Sequence, residues 1–155
     1  MPTTAERLDR MGRTCDELAA AIAGPSESGL DRRPTATAWS AKDVVCHLRD
    51  VEEFYLGRIQ LILANQEPTL VLLDPDRWAE DRQYSRNDAL EALRAFRARR
   101  DETLKFLGAL TVEQWERGAT HPIRGRITIR NIVHSMARHD DVHLDQLRRA
   151  LAGSP

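Results

Sequence analysis

The stretch ITIRNIVHSMARHDDVHLDQLRRAL, residues 127–151, carries the pattern that decides the fold. Its apolar residues recur every three or four positions, which is the spacing that aligns side chains along one face of an α-helix. That apolar face consists of Ile129, Ile132, Val133, Met136, Leu144 and Leu147. We therefore expect an amphipathic helix that begins at Thr128 and runs to about Leu151.

Three further segments show helical periodicity, and their ends carry recognisable signals. They cover about residues 4–23, 40–66 and 87–109. The first ends at Gly24-Pro25, which is a strong helix stop. Ser40 is a good N-cap for the second, with Asp43 in a weaker form of the capping box, and Asn87 is an N-cap candidate for the third. Four helices of about 20 residues each predict an all-α four-helix bundle, with residues 1–155 forming a single domain.

The remaining chain contains one short helix and one long connection. TVEQWER, residues 111–117, predicts a short helix with Thr111 and Gln114 as its capping box. Only RITIR, residues 126–130, shows any of the two-residue alternation of a strand. The connection EPTLVLLDPDRWAEDRQYSR, residues 67–86, is long for a bundle, so it is a crossover between distant helices, a functional loop, or both. We expect it to cover one end of the bundle, near the candidate site described below.

The overall composition excludes several classes of protein. The 23 basic and 24 acidic residues leave a formal charge of −1, which gives no support for a nucleic-acid-binding face. No run approaches the roughly 18 apolar residues of a membrane span, and the opening stretch lacks the apolar core of a secretory signal. Cys15 and Cys46 are too few for a disulfide scaffold and are expected to be free thiols. These features are typical of a cytoplasmic protein with no nucleic-acid or membrane partner.

His139 and His143 lie on the core-facing side of the last predicted helix. At about 100° per residue, the two side chains are separated by about 40° around the helix. They continue one row of i+3 and i+4 neighbours that also contains Ile132, Met136 and Leu147. The pattern therefore disfavours a position on the solvated face.

His47 lies within the apolar band of the second predicted helix. Three histidines from two helices thus point toward one small core, where each unpaired imidazole would cost about 1–3 kcal/mol. A shared divalent metal would satisfy all three through neutral ring nitrogens and leave open positions for water or substrate. The simpler alternatives are a core histidine with a local partner for His47 and a chance HxxxH pair on the last helix. His121, which precedes Pro122, is expected to be a loop residue.

Three stretches together resemble the DinB/YfiT-like superfamily of four-helix bundles. They are WSAKDVVCHLRDVEEFYLGRI (39–59), DPDRWAEDRQY (74–84) and ITIRNIVHSMARHDDVHLDQLRRAL (127–151). The most specific match is one histidine early in helix two together with HxxxHxxQ late in helix four. The resemblance covers about residues 5–151, and it implies an up-down-down-up bundle with a long crossover after helix two.

The resemblance also implies a cofactor and a class of reaction. It assigns a divalent metal ion, commonly nickel or zinc, to His47, His139 and His143. The best-understood members are metal-dependent transferases or isomerases that use a low-molecular-weight thiol such as mycothiol, bacillithiol or glutathione. We therefore expect a small-molecule thiol and an electrophile as substrates. A homodimer through outer helix faces is the usual assembly of such bundles.

Two other functions fit the same residues. Metal-dependent hydrolysis needs only the same site with water as the nucleophile, although no base equivalent to the glutamate of HExxH is present, since residue 140 is aspartate. The non-enzymatic alternative is a stress-related protein whose metal is structural or vestigial. An open coordination position would favour an enzyme, and a site closed by protein atoms would favour a structural role.

Six other residues are candidates for supporting roles. They are Asp50, Asp140, Gln146, Trp78, Tyr84 and Arg100. Either aspartate could orient a histidine ligand, although helix-surface charge is the more common explanation for Asp140. Gln146 could hold water or substrate and Arg100 an anionic group, the alternatives being a surface glutamine and a solvated arginine. Trp78 and Tyr84 could form a wall above the metal or attach the long loop to the bundle.

Overall fold

A computed structural model describes residues 1–155 and contains four long helices arranged as a bundle. In chain order the helices are α1 (Thr4–Ile22), α2 (Glu27–Asp31), α3 (Ala41–Ala64), α4 (Pro75–Asp81), α5 (Ala89–Gly108), α6 (Val112–Trp115) and α7 (Ile129–Leu151). A hairpin of β1 (Gly118–His121) and β2 (Gly125–Thr128) precedes α7, and a 3-10 turn (Tyr84–Arg86) precedes α5. The bundle is formed by α1, α3, α5 and α7, which confirms the predicted fold class.

The helices begin at side chains that accept hydrogen bonds from the free backbone N–H groups of the first turn. Both bonds of the predicted capping box between Ser40 and Asp43 are present at the start of α3. At the start of α5 the prediction is one residue off, because Asp88 rather than Asn87 accepts a backbone N–H of the first turn. The side-chain amide of Asn87 donates instead to the backbone carbonyl of Gln83.

Contacts at the helix ends define an up-down-down-up order. Lys42 at the start of α3 donates to the carbonyl of Ser85 just before α5, so these neighbouring helices start at the same end of the bundle. Arg130 of α7 donates to the hydroxyl of Thr4 in α1, so these two helices also start together. The end of α3 packs against the start of α7, which places the two pairs in opposite directions.

The bundle interior has two apolar clusters with a polar layer between them. The first cluster includes Leu18, Val44, Phe96 and Leu147, and the second includes Met11, Ile59, Ile132 and Met136. Between the segments that supply the two clusters lie Asp50 and Glu52 on α3 and His139, Asp140 and His143 on α7. His47 lies at the edge of the first segment of α3, between Cys46 and Leu48. The candidate site therefore lies near the middle of the helices, where apolar packing fixes the backbone above and below it.

The connection of residues 67–86 crosses back along the bundle and contains ordered elements. These are α4, the 3-10 turn and a bridge between Thr69 and Thr120 that attaches the connection to β1. The RITIR stretch is divided, since its first three residues belong to β2 and its last two begin α7. None of the helices has the length and apolarity that a membrane crossing requires.

Candidate metal centre

Three imidazole rings, hereafter the histidine cluster, meet in the polar layer of the bundle. His47 projects from α3, and His139 and His143 project from adjacent turns of α7. Their potential donor atoms all lie within 4.8 Å of one another, and Nε2 of His47 is 3.0 Å from Nε2 of His139. The ring centroids of His47 and His139 lie 4.5 and 4.2 Å from that of His143. The fold therefore brings together the residues that helical periodicity placed on inward faces.

Burial keeps the three rings neutral at neutral pH. Desolvation, followed by repulsion from a protonated His143, lowers the pKa of His47 to about 3. Desolvation, followed by repulsion from the other two histidines and Arg100, lowers the pKa of His139 to about 2. Desolvation also lowers the pKa of His143, although a hydrogen bond with Gln146 opposes this shift. Neutral imidazole is the form that binds metals, because its second nitrogen keeps a free lone pair.

Two features of the rings suit a metal ion. Nδ1–H of His143 donates a hydrogen bond to Oε1 of Gln146, 2.7 Å away, which leaves the lone pair on Nε2. Nε2 of His47 faces His139 and its Nδ1 is buried without a hydrogen-bond partner, so no protein group fixes which nitrogen of His47 carries the proton. Three neutral nitrogen donors are a set that zinc and nickel both accept. The residues present therefore fit a divalent metal ion.

The histidine cluster opens onto a cavity of about 300 Å³. Leu72, Leu73 and Pro75 line it, which confirms that the long crossover lies near the predicted site, although it runs along the bundle and does not cover one end. The sequence motifs do not predict the six other lining residues as part of the site: Trp39, Val51, Phe54, Tyr55, Arg58 and His121. His121 is the last residue of β1 rather than a loop residue, and the bridge between β1 and the crossover brings it to the cavity.

The amino-acid sequence matches a family model over most of its length. The model is that of the DinB superfamily, and it matches residues 10–147, a span that contains the whole histidine cluster. The chain belongs to the DinB superfamily. This membership confirms the resemblance found in the sequence motifs.

Relatives of this DinB chain cover most of its length. "Putative metal-dependent hydrolase OB0413" of Oceanobacillus iheyensis is 26% identical over 149 residues, which are 94% of this chain and 80% of the relative. "Uncharacterized protein YuaE" of Bacillus subtilis is 21% identical over 139 residues, covering 82% and 86% of the two chains. The solved structure of YfiT from Bacillus subtilis, described as "a probable metal-dependent hydrolase with an unusual four-helix bundle topology", superposes with a TM-score of 0.87. The alignment covers 98% of this chain and 89% of YfiT at 22% identity, and it establishes the shared fold.

Asp50 of this DinB chain does not make the expected contact with a histidine. Its buried carboxylate lies 2.8 Å from Arg49 and 3.3 Å from both Arg82 and Arg99. Together with burial, its negative charge also raises the pKa of Tyr84. The three arginines saturate the carboxylate, so Asp50 acts on the histidine cluster only through its charge.

The expectations of surface charge for Asp140 and of a solvated side chain for Arg100 are both wrong. Their residues are only 1% and 2% exposed. Nη1 of Arg100 lies 2.6 Å from Asp140, and its Nε lies 2.8 Å from Glu52. The hydroxyl of Thr14 donates to Asp140 as well. Because partners from other helices neutralise both residues, neither orients a histidine directly, and Arg100 is not available to an anionic substrate.

The two aromatic residues of the crossover attach it to the bundle and do not line the cavity. Trp78 packs edge-on against Phe54, with ring centroids 5.6 Å apart, and the guanidinium of Arg82 lies 4.0 Å from the Trp78 ring. Tyr84 is fully buried in the first apolar cluster. The expectation that these residues form a wall above the metal is therefore wrong, and the alternative of loop attachment is correct. Gln146 contacts the site through His143.

Proposed function

We propose that this DinB protein binds a divalent metal ion through His47, His139 and His143 and is an enzyme that depends on it. The observation that carries this proposal is the convergence of three neutral imidazoles on an open cavity. Structural metal sites are closed by four protein ligands, whereas three protein ligands and an opening are typical of catalytic sites. When bound, such an ion supplies positive charge that lowers the pKa of a nucleophile beside it. Nickel and zinc are the metals proposed, since both accept imidazole donors.

The cavity wall favours a nucleophile that ionises easily. None of the lining residues is an aspartate, glutamate or cysteine, so the wall provides neither a carboxylate base nor a protein thiol. A low-molecular-weight thiol has a pKa of about 8.5 and is a strong nucleophile as the thiolate. The proposed reaction is therefore transfer of such a thiol, of the mycothiol, bacillithiol or glutathione type, to a small electrophile. The thiol sulfur forms the new bond to the electrophilic carbon and its proton goes to solvent, while the bond from that carbon to its leaving group breaks and the leaving group departs with the electron pair.

Metal-dependent hydrolysis is the second candidate, and two observations favour it. OB0413 is named, and YfiT is described, as a hydrolase of this kind. In addition, His121 lines the cavity, and its Nδ1 accepts the backbone N–H groups of Ile123 and Arg124. These bonds leave an N–H on Nε2, which is suited to stabilise negative charge that develops on a carbonyl oxygen.

The first test is the metal content of matched histidine variants. His143→Ala should reduce the bound metal to near zero while the helical circular-dichroism signal remains, because the apolar clusters are unchanged. His134→Ala is the control, since His134 lies on the same helix but outside the histidine cluster. Elemental analysis after reconstitution with zinc or nickel should find about one ion per chain in the wild type and in the control. Full metal occupancy in His143→Ala would overturn the proposed site.

The second test separates the two reactions. Metal-loaded protein is assayed for consumption of thiol in the presence of an electrophile and, separately, for hydrolysis of a neutral ester. Thiol consumption that is absent in His143→Ala supports the transferase, and ester hydrolysis that is lost in the same variant supports the hydrolase. Metal binding without either activity, for a broad set of thiols, electrophiles and esters, would favour a stress-related protein with a non-catalytic metal.

A further inference from the structure

Arg58 lies at the cavity of the histidine cluster, and no carboxylate pairs with it. It is on α3, about three turns after His47. One of its terminal nitrogens donates to the backbone carbonyl of Val71 in the crossover. Its Nε is buried and has no hydrogen-bond acceptor. The side chain therefore has an unused donor as well as an unbalanced charge.

The neighbouring residues hold Arg58 at this position. Its guanidinium carbon lies 4.3 Å from the centre of the Phe54 ring, one helical turn earlier, which is a favourable cation–π distance. Burial lowers the pKa of Arg58, so its positive charge is poorly solvated. A guanidinium stays charged at neutral pH despite such a shift, and poor solvation strengthens its attraction to an anion.

The cavity offers this charge no partner from the protein. Among the residues that line the cavity, Arg58 is the one with a formal charge, because the histidines are neutral and no acidic residue is present. The charges of Arg58 and Arg124, after burial, lower the pKa of His121 across the cavity wall. The electrostatic potential of the cavity is therefore positive, and any metal in the histidine cluster would make it more so.

We infer that Arg58 binds a carboxylate of the substrate. A guanidinium and a carboxylate match in shape and charge, and one cation balances one monoanion. The inference rests on the proposed function only for the reacting group, since Arg58 and His121 line the cavity whatever the histidines bind.

The shape of the cavity narrows the substrate class further. Its volume of about 300 Å³ is at the small end of ligand sites. Apolar side chains, including Val51, Leu73 and Pro75, form much of the wall between the polar groups. The structure therefore suits a small molecule with a short apolar body, a carboxylate at one end and its reacting group at the other.

A pair of probes tests this inference by binding rather than by activity. The acid 3-phenylpropionate and its neutral analogue 3-phenylpropionamide differ only in the group that Arg58 would bind. Their dissociation constants are measured by calorimetry or ligand-observed NMR on the full chain, both as purified with its metal and after metal removal by a chelator. In both forms the acid should bind about tenfold more tightly than the amide, as expected for a charge-assisted hydrogen bond.

Two arginine variants decide the outcome. Arg58→Gln should abolish the preference for the acid, and Arg82→Gln should retain it, because Arg82 also stacks on an aromatic ring but pairs with Asp50 and does not line the cavity. Equal binding of acid and amide by the wild type, or a preference that survives Arg58→Gln, overturns the inference. If the preference depends on Arg58 but the wild-type protein binds no zinc or nickel on reconstitution, the inference holds and the proposed function fails.

Discussion

Two polar clusters lie side by side in the middle layer of the bundle, and they differ in how far their polar atoms are satisfied. The arginine cluster consists of Arg100, Glu52, Asp140 and Thr14, one residue from each long helix. The histidine cluster joins α3 and α7 alone. The two clusters touch, since Asp140 directly follows His139 in α7. The arginine cluster is fully buried, whereas His139 and His143 are only partly buried, and the two clusters also differ in their hydrogen-bond partners.

The arginine cluster is closed. Arg100 donates from Nε and Nη2 to the two oxygens of Glu52, and from Nη1 and Nη2 to the two oxygens of Asp140. Nη1 also donates to the backbone carbonyl of Met11, and Thr14 donates to Asp140. All donors of the guanidinium group thus have protein acceptors. Such an arrangement specifies how four helices meet, and it leaves nothing for a ligand.

The histidine cluster is open. Its one internal hydrogen bond joins His47 and His139, Gln146 satisfies one nitrogen of His143, and Nδ1 of His47 has no partner. The rings also face a cavity, whereas the arginine cluster is enclosed by protein. In this bundle, unsatisfied polar atoms next to a cavity distinguish a candidate binding site from a structural network, although both consist of polar residues in the bundle interior.

The largest expected effect is the loss of stability when the central residue of the arginine cluster is replaced. Arg100→Ala leaves two buried carboxylates without a counter-charge, so we expect the free energy of unfolding to fall by about 3–5 kcal/mol. Arg97→Ala is the matched control one turn earlier, because Arg97 pairs with the exposed Asp16 at the surface. That control should change stability by less than about 1 kcal/mol. Urea denaturation of both variants measures the difference.

A compensated variant tests whether unpaired charge is the cause. In Arg100→Met combined with Glu52→Gln and Asp140→Asn, no buried charge remains, so much of the lost stability should return. If this triple variant is no more stable than Arg100→Ala, packing rather than charge explains the loss. If Arg100→Ala itself is as stable as the wild type, the arginine cluster does not hold the bundle together.

The arginine cluster also shows what could not be predicted from the sequence. Periodicity places His139 and His143 on an inward row because their neighbours at three and four residues are apolar. It cannot recognise Asp140, whose burial depends on Arg100, 40 residues away, and on Thr14, 126 residues away. A charged residue at the edge of an apolar stripe looks like surface until its partner is known. Arg100 was expected to be solvated for the same reason, since its partners also lie far away in the sequence.

The cavity wall was missed for a related reason. Helices and their caps depend on residues that are close in sequence. The periodic apolar residues and the capping box at Ser40 were therefore sufficient to predict them. His121 reaches the cavity only because Thr120 of the hairpin pairs with Thr69 of the crossover, a contact with no local sequence pattern. Arg58 lies on a predicted helix, but it lines a cavity only because the crossover packs beside it.

The second effect in size concerns pH and the metal-free protein. The unfolded chain binds protons on its histidines below about pH 6.5, whereas the folded-state pKa values of His47 and His139 are about 3 and about 2. The stabilisation that comes from keeping these two histidines neutral is therefore fully present above about pH 6.5. The free energy of unfolding falls as the pH decreases toward their folded-state pKa values. The expected slope is about 1.4 kcal/mol per pH unit for each such histidine.

Denaturation of the metal-free protein between pH 6.5 and 4.5 measures this slope above the pKa range of most carboxylates. His47→Gln should reduce the slope by about 1.4 kcal/mol per pH unit, because one of the protons taken up on unfolding is removed. His134 and His121 remain in the variant and act as an internal control. An unchanged slope in His47→Gln would show that His47 is protonated in the folded protein, contrary to its burial.

The smallest expected effect lies at the point where the histidine cluster is partly closed. Gln146 accepts a hydrogen bond from Nδ1–H of His143. This bond fixes the ring and keeps the Nε2 lone pair available for a ligand. Gln146→Ala removes this acceptor, so the affinity for zinc should fall by about tenfold without a change in the number of ions bound. Gln146→Glu keeps an acceptor at the same position and should retain the affinity. Competition with a chromophoric zinc chelator measures both. Equal zinc affinities for the wild type, Gln146→Ala and Gln146→Glu would mean that packing alone orients His143. The hydrogen bond from Gln146 would then contribute nothing to metal binding.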